Sequence, residues 1–131
     1  MATGRVLIVD DSNAMRKVLA IALRKAGVTV TELWEAGNGQ EALNILESKT
    51  PDLILCDINM PVMDGMEFLK RLSQIRSVSS TPIVMITTEG GEWHVTEALS
   101  YGARGYIRKP FTQEQFRQSV VPLMESSLRP S

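Results

Sequence analysis

Short apolar runs in this chain end, one after another, on a polar residue. Val6-Leu7-Ile8-Val9 leads into Asp10 and Asp11, Leu53-Ile54-Leu55-Cys56 into Asp57, Ile83-Val84-Met85-Ile86 into Thr87, and Tyr106-Ile107-Arg108 into Lys109. Runs of this length and β-branched content read as strands buried on both faces, the mark of a parallel sheet covered by helices. Open α/β sheets bind ligands at the carboxyl edge of their strands. Three carboxylates, a hydroxyl and an ammonium converging on that edge point to phosphoryl chemistry.

Between the runs the pattern changes to helical spacing, five times over. The first strand covers about Arg5 to Val9, and Ser12 is an N-cap for a helix with Met15, Val18, Leu19, Ala22 and Leu23 as its apolar stripe. Gly27 stops that helix. A second strand falls between Val28 and Glu35, and Asn38-Gly39 opens a helix that turns Ala42, Leu43, Ile45 and Leu46 inward. Pro51-Asp52 punctuates the entry to the third strand. The turn-rich loop Asn59-Met60-Pro61-Val62-Met63-Asp64-Gly65 precedes a helix with Phe68, Leu69, Leu72 and Ile75 on one face. Pro82 begins the fourth strand. A short helix bearing Val95, Ala98 and Leu99, a strand from about Arg104 to Arg108, and a last helix with Phe116, Val120 and Leu123 complete the series. Right-handed crossovers turn this alternation into a three-layer sandwich.

Composition limits the function classes. At 131 residues and 44% hydrophobic content the chain is the size of one domain with a full core, and one domain is expected over 1–131. A formal net charge of -1 and a pI near 5.8 give no broad basic surface, which argues against nucleic acid as a direct partner. No signal-peptide core and no apolar stretch of about 20 residues is visible, so no membrane association and a cytoplasmic place are expected. The single cysteine, Cys56, lies within an apolar run and reads as packing.

Taken singly, each site residue has an ordinary reading. Asp10, Asp11 and Asp57 could cap helices or shape turns, Thr87 could be a plain strand residue, and Lys109 a solvated charge. Their joint occurrence decides otherwise, because unrelated turn preferences have no reason to gather them at one edge.

These residues carry a resemblance to the response-regulator receiver domains, most of all the stand-alone CheY-type chemotaxis regulators, over essentially the whole chain. It rests on Val6 to Asp11, on Asp57 with Met60-Pro61-Val62-Met63-Asp64-Gly65 behind it, on Thr87, and on Lys109-Pro110-Phe111. The resemblance implies a flavodoxin-like (βα)5 sandwich whose five-stranded parallel sheet has the order 2-1-3-4-5. It also implies that Asp57 accepts a phosphoryl group from the phosphohistidine of a histidine kinase, or from a small donor. A carboxylate nucleophile needs no general base, being ionised at neutral pH.

Three carboxylates against one ammonium leave a local charge of about -2, so a divalent cation is needed before a phosphoryl group can approach. Hard oxygen donors suit Mg²⁺, with the carboxylates of Asp11 and Asp57 and the backbone carbonyl of Asn59 as ligands and Asp10 acting through a bound water. Lys109 and Thr87 meet the phosphoryl oxygens. Thr87 and Tyr106 match the family's switch pair, whose movement reshapes the face made by the fourth helix, fifth strand and fifth helix. The resemblance also implies that Asn59 and Glu89 flank the route of hydrolytic water, and because both are polar a short-lived phosphorylated state is expected. The Lys109-Pro110 bond is expected to be cis.

The resemblance further implies a monomer that is no enzyme beyond its own phosphorylation and dephosphorylation, signalling through a flagellar switch or other motility protein. A phosphate sink, a phosphorelay intermediate or a phosphorylation-independent binding module would share the same sequence logic. No output domain is expected after the fifth helix. Two other classes fit less well. A haloacid-dehalogenase-type phosphohydrolase requires a second Asp where Asn59 stands, and a flavodoxin-like FMN carrier requires a hydroxyl- and glycine-rich loop where Asp10 and Asp11 stand.

Three features depart from the family pattern. The link over Val28 to Trp34 is long, which leaves the second strand's register open and Trp34 either packed or exposed, with packing favoured. Pro122 falls inside the last helix and is expected to kink or interrupt it. Glu92-Trp93-His94 lies near the start of the fourth helix, and His94 reads as a solvated residue with no metal role.

Overall fold

The helix starts are written in local capping chemistry. In a computed structural model that describes residues 2–75 and 80–127, Ser12 accepts the Met15 N–H at the start of α1 (Asn13–Lys25), Asn38 the Glu41 N–H at α2 (Gly39–Leu46), and Asp64 the Glu67 N–H at α3 (Gly65–Leu72). Helix α4 (Glu92–Ser100) starts without a side-chain cap. At α5 (Gln113–Ser127), Thr112 accepts the Gln115 N–H while the Gln115 side chain accepts the Thr112 N–H, a reciprocal capping box.

The strands are β1 (Thr3–Val9), β2 (Thr29–Ala36), β3 (Leu53–Cys56), β4 (Ile83–Thr87) and β5 (Gly105–Arg108), all parallel in the order β2-β1-β3-β4-β5. This is the CheY-like flavodoxin architecture expected from the sequence. Side chains alternate between two cores. Leu7, Val9, Ile54, Cys56, Ile83 and Met85 face α2, α3 and α4, where Phe68 is wholly buried. Val6, Ile8, Leu53, Leu55, Val84 and Ile86 face α1 and α5, where Phe116 is wholly buried. Each of those two rings contributes about 2–3 kcal/mol of transfer free energy.

The long link before Ala36 is resolved by a bulge. Gly4 pairs with Val30 but Arg5 pairs with Glu32, leaving Thr31 as the extra residue. The slip matters because it puts Trp34 opposite Leu7. Trp34 is half-buried against the α2–α3 core, with the Lys49 ammonium 5.9 Å from its ring. Were the register of Gly4 and Val30 carried on without the slip, Leu33 would oppose Leu7 and the faces would exchange.

Several expectations need correction. Val18, expected on the apolar stripe of α1, is about half exposed, as is Leu99 of α4, and Ile75 lies beyond the end of α3 with its side chain exposed. The buried faces are narrower than the helical spacing suggests: α1 buries Leu19, Ala22 and Leu23, and α4 only Ala98. The first strand begins two residues earlier than Arg5, and the second runs on to Ala36. Pro122 does not interrupt α5, which continues to Ser127. Gln118, whose carbonyl loses its partner, and Pro122 are both exposed, so water can serve the orphaned acceptor. No helix among the described residues is long and apolar enough to cross a membrane.

Candidate functional site

The sheet ladder itself delivers the site. One step past the strands, the Asp10 N–H donates to Ala36 at the end of β2 (3.0 Å), the Asp57 N–H to Val9 at the end of β1 (2.9 Å), and the Lys109 N–H to Thr87 at the end of β4 (2.8 Å). Each residue is therefore tied to the neighbouring strand at the carboxyl edge, and the side chains converge without a long loop having to order itself.

Lys109 sits between two carboxylates, its ammonium 2.9 Å from Asp10 Oδ2 and 3.2 Å from Asp57 Oδ2. The second oxygen of each carboxylate is also held. Asp10 Oδ1 accepts the Ser12 N–H at 2.8 Å, and Asp57 Oδ1 accepts the Ile58 N–H at 2.7 Å and the Asn59 N–H at 3.4 Å. Asp10 is only 1% exposed and Asp57 9%, whereas Asp11 stands open to solvent. Burial alone would push the Lys109 ammonium down, but the hydrogen bonds and charges of Asp10 and Asp57 outweigh it and hold its pKa above the ordinary lysine value.

Asp10, Asp11 and Asp57 each bring one carboxylate oxygen to within 4.8 Å of the others. Hard oxygen donors, one of them solvent-facing, fit a hard divalent cation that keeps waters. Cys56 takes no part. Its thiol is fully buried and donates to the Asp57 carbonyl, and burial, reinforced by the charges of Asp57, Asp10 and Asp64, pushes its pKa well above the ordinary range.

The loop after Asp57 is folded tightly onto it. Gly65 donates to the Ile58 carbonyl at 2.7 Å, and a Cβ on Gly65 would stand 1.8 Å from the Asp57 carbonyl oxygen, so only glycine allows α3 to start there. Within the loop Val62 adopts φ +67° while Met63 N–H donates to Pro61 at 2.7 Å, a γ-turn with a β-branched residue at its centre.

Thr87 is wholly buried, and its hydroxyl accepts the Glu89 N–H at 3.3 Å. The half-buried Tyr106 donates its hydroxyl to the carbonyl of the same Glu89. Burial, then the charges of Glu89 and Asp57, raise the Tyr106 pKa against the pull of Arg108. Asn59 extends its side-chain amide to the Glu89 carboxylate at 2.9 Å. The Lys109-Pro110 bond is cis.

Sequence reasoning missed Arg16. Its guanidinium donates to the Asp10 carbonyl at 2.5 Å, to Glu35 at 2.9 Å and to Asn13 at 3.2 Å, clamping the first site loop to the end of β2. The available signal was an arginine one helical turn after the Asp10-Asp11-Ser12 cap, able to reach back over the helix start.

The family model for the response regulator receiver domain matches residues 6–121. The chain belongs to the response regulator receiver family. A chemotaxis protein CheY homolog of Campylobacter jejuni is 35% identical over 121 residues, covering 92% of either chain. Chemotaxis protein CheY of Pseudomonas aeruginosa is 34% identical over 121 residues, 92% of this receiver and 96% of that protein. The structure of Vibrio cholerae CheY4 superimposes with a TM-score of 0.79 at 36% identity, covering 94% of this receiver and 98% of that chain. The receiver domain of a signal transduction histidine kinase from Syntrophus aciditrophicus gives a TM-score of 0.84 at 29% identity, covering 98% and 95%.

Proposed function

We propose that this receiver takes a phosphoryl group on Asp57 from the phosphohistidine of a histidine kinase, or from a small phosphodonor, in a Mg²⁺-dependent reaction. The observation that carries the reading is Lys109 bridging Asp10 and Asp57 beside a third carboxylate. An Asp57 oxygen forms the new bond to phosphorus as the bond from phosphorus to the donor nitrogen breaks, its electron pair returning to the imidazole. Asp11, Asp57 and the Asn59 carbonyl would hold the cation, with Asp10 acting through water. When bound, the cation offsets the local negative charge and draws off charge from the transferring oxygens. Lys109 pairs with a phosphoryl oxygen, and the Thr87 hydroxyl turns from Glu89 toward another. Water then attacks phosphorus, the bond to Asp57 breaks, and the carboxylate and inorganic phosphate are released.

Movement of Thr87 pulls on the Glu89 backbone, to which Tyr106 is also bonded, and so reaches the surface of α4, β5 and α5. Phosphorylation-dependent binding of a motility protein on that face, in the cytoplasm, is the output we assign. The naming of relatives as chemotaxis proteins supports that pathway. Asn59 and Glu89 set the hydrolysis rate, and exchanging either changes the lifetime of the phosphorylated state without abolishing phosphorylation.

The test is intact mass after incubation with acetyl phosphate, with and without Mg²⁺, on the wild type and Asp57→Asn. A metal-dependent phosphoryl adduct that Asp57→Asn lacks supports the reading. No adduct at time points short enough to catch rapid hydrolysis, with folding intact, replaces it with a phosphorylation-independent binding module.

A further inference from the structure

Arg16 stands one turn into α1, and its side chain reaches back over the start of the helix. The guanidinium donates to the Asp10 carbonyl at 2.5 Å, to Glu35 Oε1 at 2.9 Å and to Asn13 Oδ1 at 3.2 Å. That carbonyl belongs to the peptide unit joining Asp10 to Asp11, two of the three residues whose carboxylate oxygens gather within 4.8 Å of one another. Ala36 fixes the Asp10 N–H, and the Ser12 N–H and the Lys109 ammonium fix its carboxylate. Arg16 fixes the remaining end, where the chain leaves the sheet. Asp10 is 1% exposed, so water does not reach its carbonyl in place of Arg16. Asp11 is exposed, and the direction in which it leaves the sheet is set by the same peptide. Glu35, in β2 opposite Ile8, anchors the other side of the guanidinium fork to the sheet.

We propose that Arg16 is a positioning residue that sets how strongly this site prefers Mg²⁺ to Ca²⁺: by pinning the peptide between Asp10 and Asp11 it fixes the spacing of their carboxylates. Mg²⁺ demands near-ideal octahedral geometry with short bonds, while Ca²⁺ accepts roughly six to eight oxygens at longer and more variable distances. Carboxylates held at one spacing serve Mg²⁺. Carboxylates free to wander weaken Mg²⁺ and leave Ca²⁺ nearly untouched. Charge alone acts in the opposite sense, because taking a positive charge from beside the cluster strengthens its pull on any divalent cation. The two roles therefore differ in sign, and in whether two cations of equal charge respond alike. The inference rests on the reading of Asp10, Asp11 and Asp57 as the cation site and adds to it the residue that shapes that site.

The experiment titrates the unphosphorylated full chain with Mg²⁺ and, separately, with Ca²⁺, following backbone amide NMR signals. It compares the wild type with Arg16→Lys, Arg16→Met, Glu35→Ala and the Arg16→Met, Glu35→Ala double variant, each shown by thermal melt to be folded at the titration temperature. Arg16→Met weakens Mg²⁺ about tenfold, the low end for groups that hold metal ligands in place, and shifts Ca²⁺ by less than about twofold. Arg16→Lys keeps the charge but not the planar fork, and it weakens Mg²⁺ by about threefold or more. Glu35→Ala, a change at a partly exposed side chain, lowers the ratio of Mg²⁺ to Ca²⁺ affinity in the wild type and lowers it no further in Arg16→Met. Should Arg16→Met fail to fold, the ratio in Glu35→Ala decides. Tighter or unchanged Mg²⁺ binding in Arg16→Met, or equal losses for both cations, overturns the role of Arg16 and leaves the cation site standing. A wild type that binds neither cation, or an Asp57→Asn variant that binds both as the wild type does, overturns the site and the inference together.

Discussion

The Lys109 ammonium stands 3.2 Å from the Asp57 carboxylate and 2.9 Å from that of Asp10, at the centre of a cluster that also holds Asp11. Removing it takes the local charge from about -2 to about -3, and the repulsion is then relieved by a bound cation. We expect Lys109→Met to melt lower than wild type without metal and to gain at least about 3 °C more from saturating Mg²⁺. Equal gains in thermal melts would contradict this. The pH dependence has a definite sign. Folding favours the protonated ammonium, so without metal the stability Lys109 adds is fully present below the ordinary lysine pKa of about 10.4 and is lost as pH rises through its higher folded value.

Gly65 lies so close to the Asp57 carbonyl that any side chain displaces the start of α3 or the end of β3. Gly65→Ala is expected to cost at least about 3 kcal/mol in urea unfolding. A loss below about 1 kcal/mol would show that the loop yields easily.

Val62 is a solvent-exposed, β-branched residue held at φ +67°. Asn tolerates this region far better, so Val62→Asn should stabilise the protein by about 0.5–1 kcal/mol, read as a higher urea midpoint at unchanged slope. No gain would mean that the γ-turn carries little strain.

Cys56 is buried, donates to Asp57 and has its pKa pushed well above the ordinary range. Iodoacetamide at pH 8 should leave the native thiol unmodified and alkylate it fully in denaturant. The sign for stability follows. Folding favours the neutral thiol, so its contribution is intact below the unfolded thiol's pKa of about 8.5 and falls as pH rises toward the folded value.

Much of the site was legible because its residues end strands buried on both faces, where an apolar run and a terminal polar group are visible in one dimension. Asp10, Asp57 and Lys109 meet as expected, and Ser12, Asn38 and Gly27 mark helix ends through local chemistry. What was misread depends on long-range geometry. Val18 and Leu99 satisfy helical spacing but lie at the margins of faces whose width is set by the neighbouring elements. The length of the link over Val28 to Trp34 signals an extra residue, but its place at Thr31 is fixed by pairing with β1. Arg16 acts through a side chain that reaches back to Asp10 and across to Glu35, residues 6 and 19 positions away.

The most direct measurement reduces the freshly phosphorylated protein with borohydride, which converts an aspartyl phosphate to homoserine, and then locates the change by peptide mapping. The account requires homoserine at position 57 only, in a Mg²⁺-dependent yield. Modification at Asp10, at Asp11 or elsewhere in place of Asp57 would contradict it.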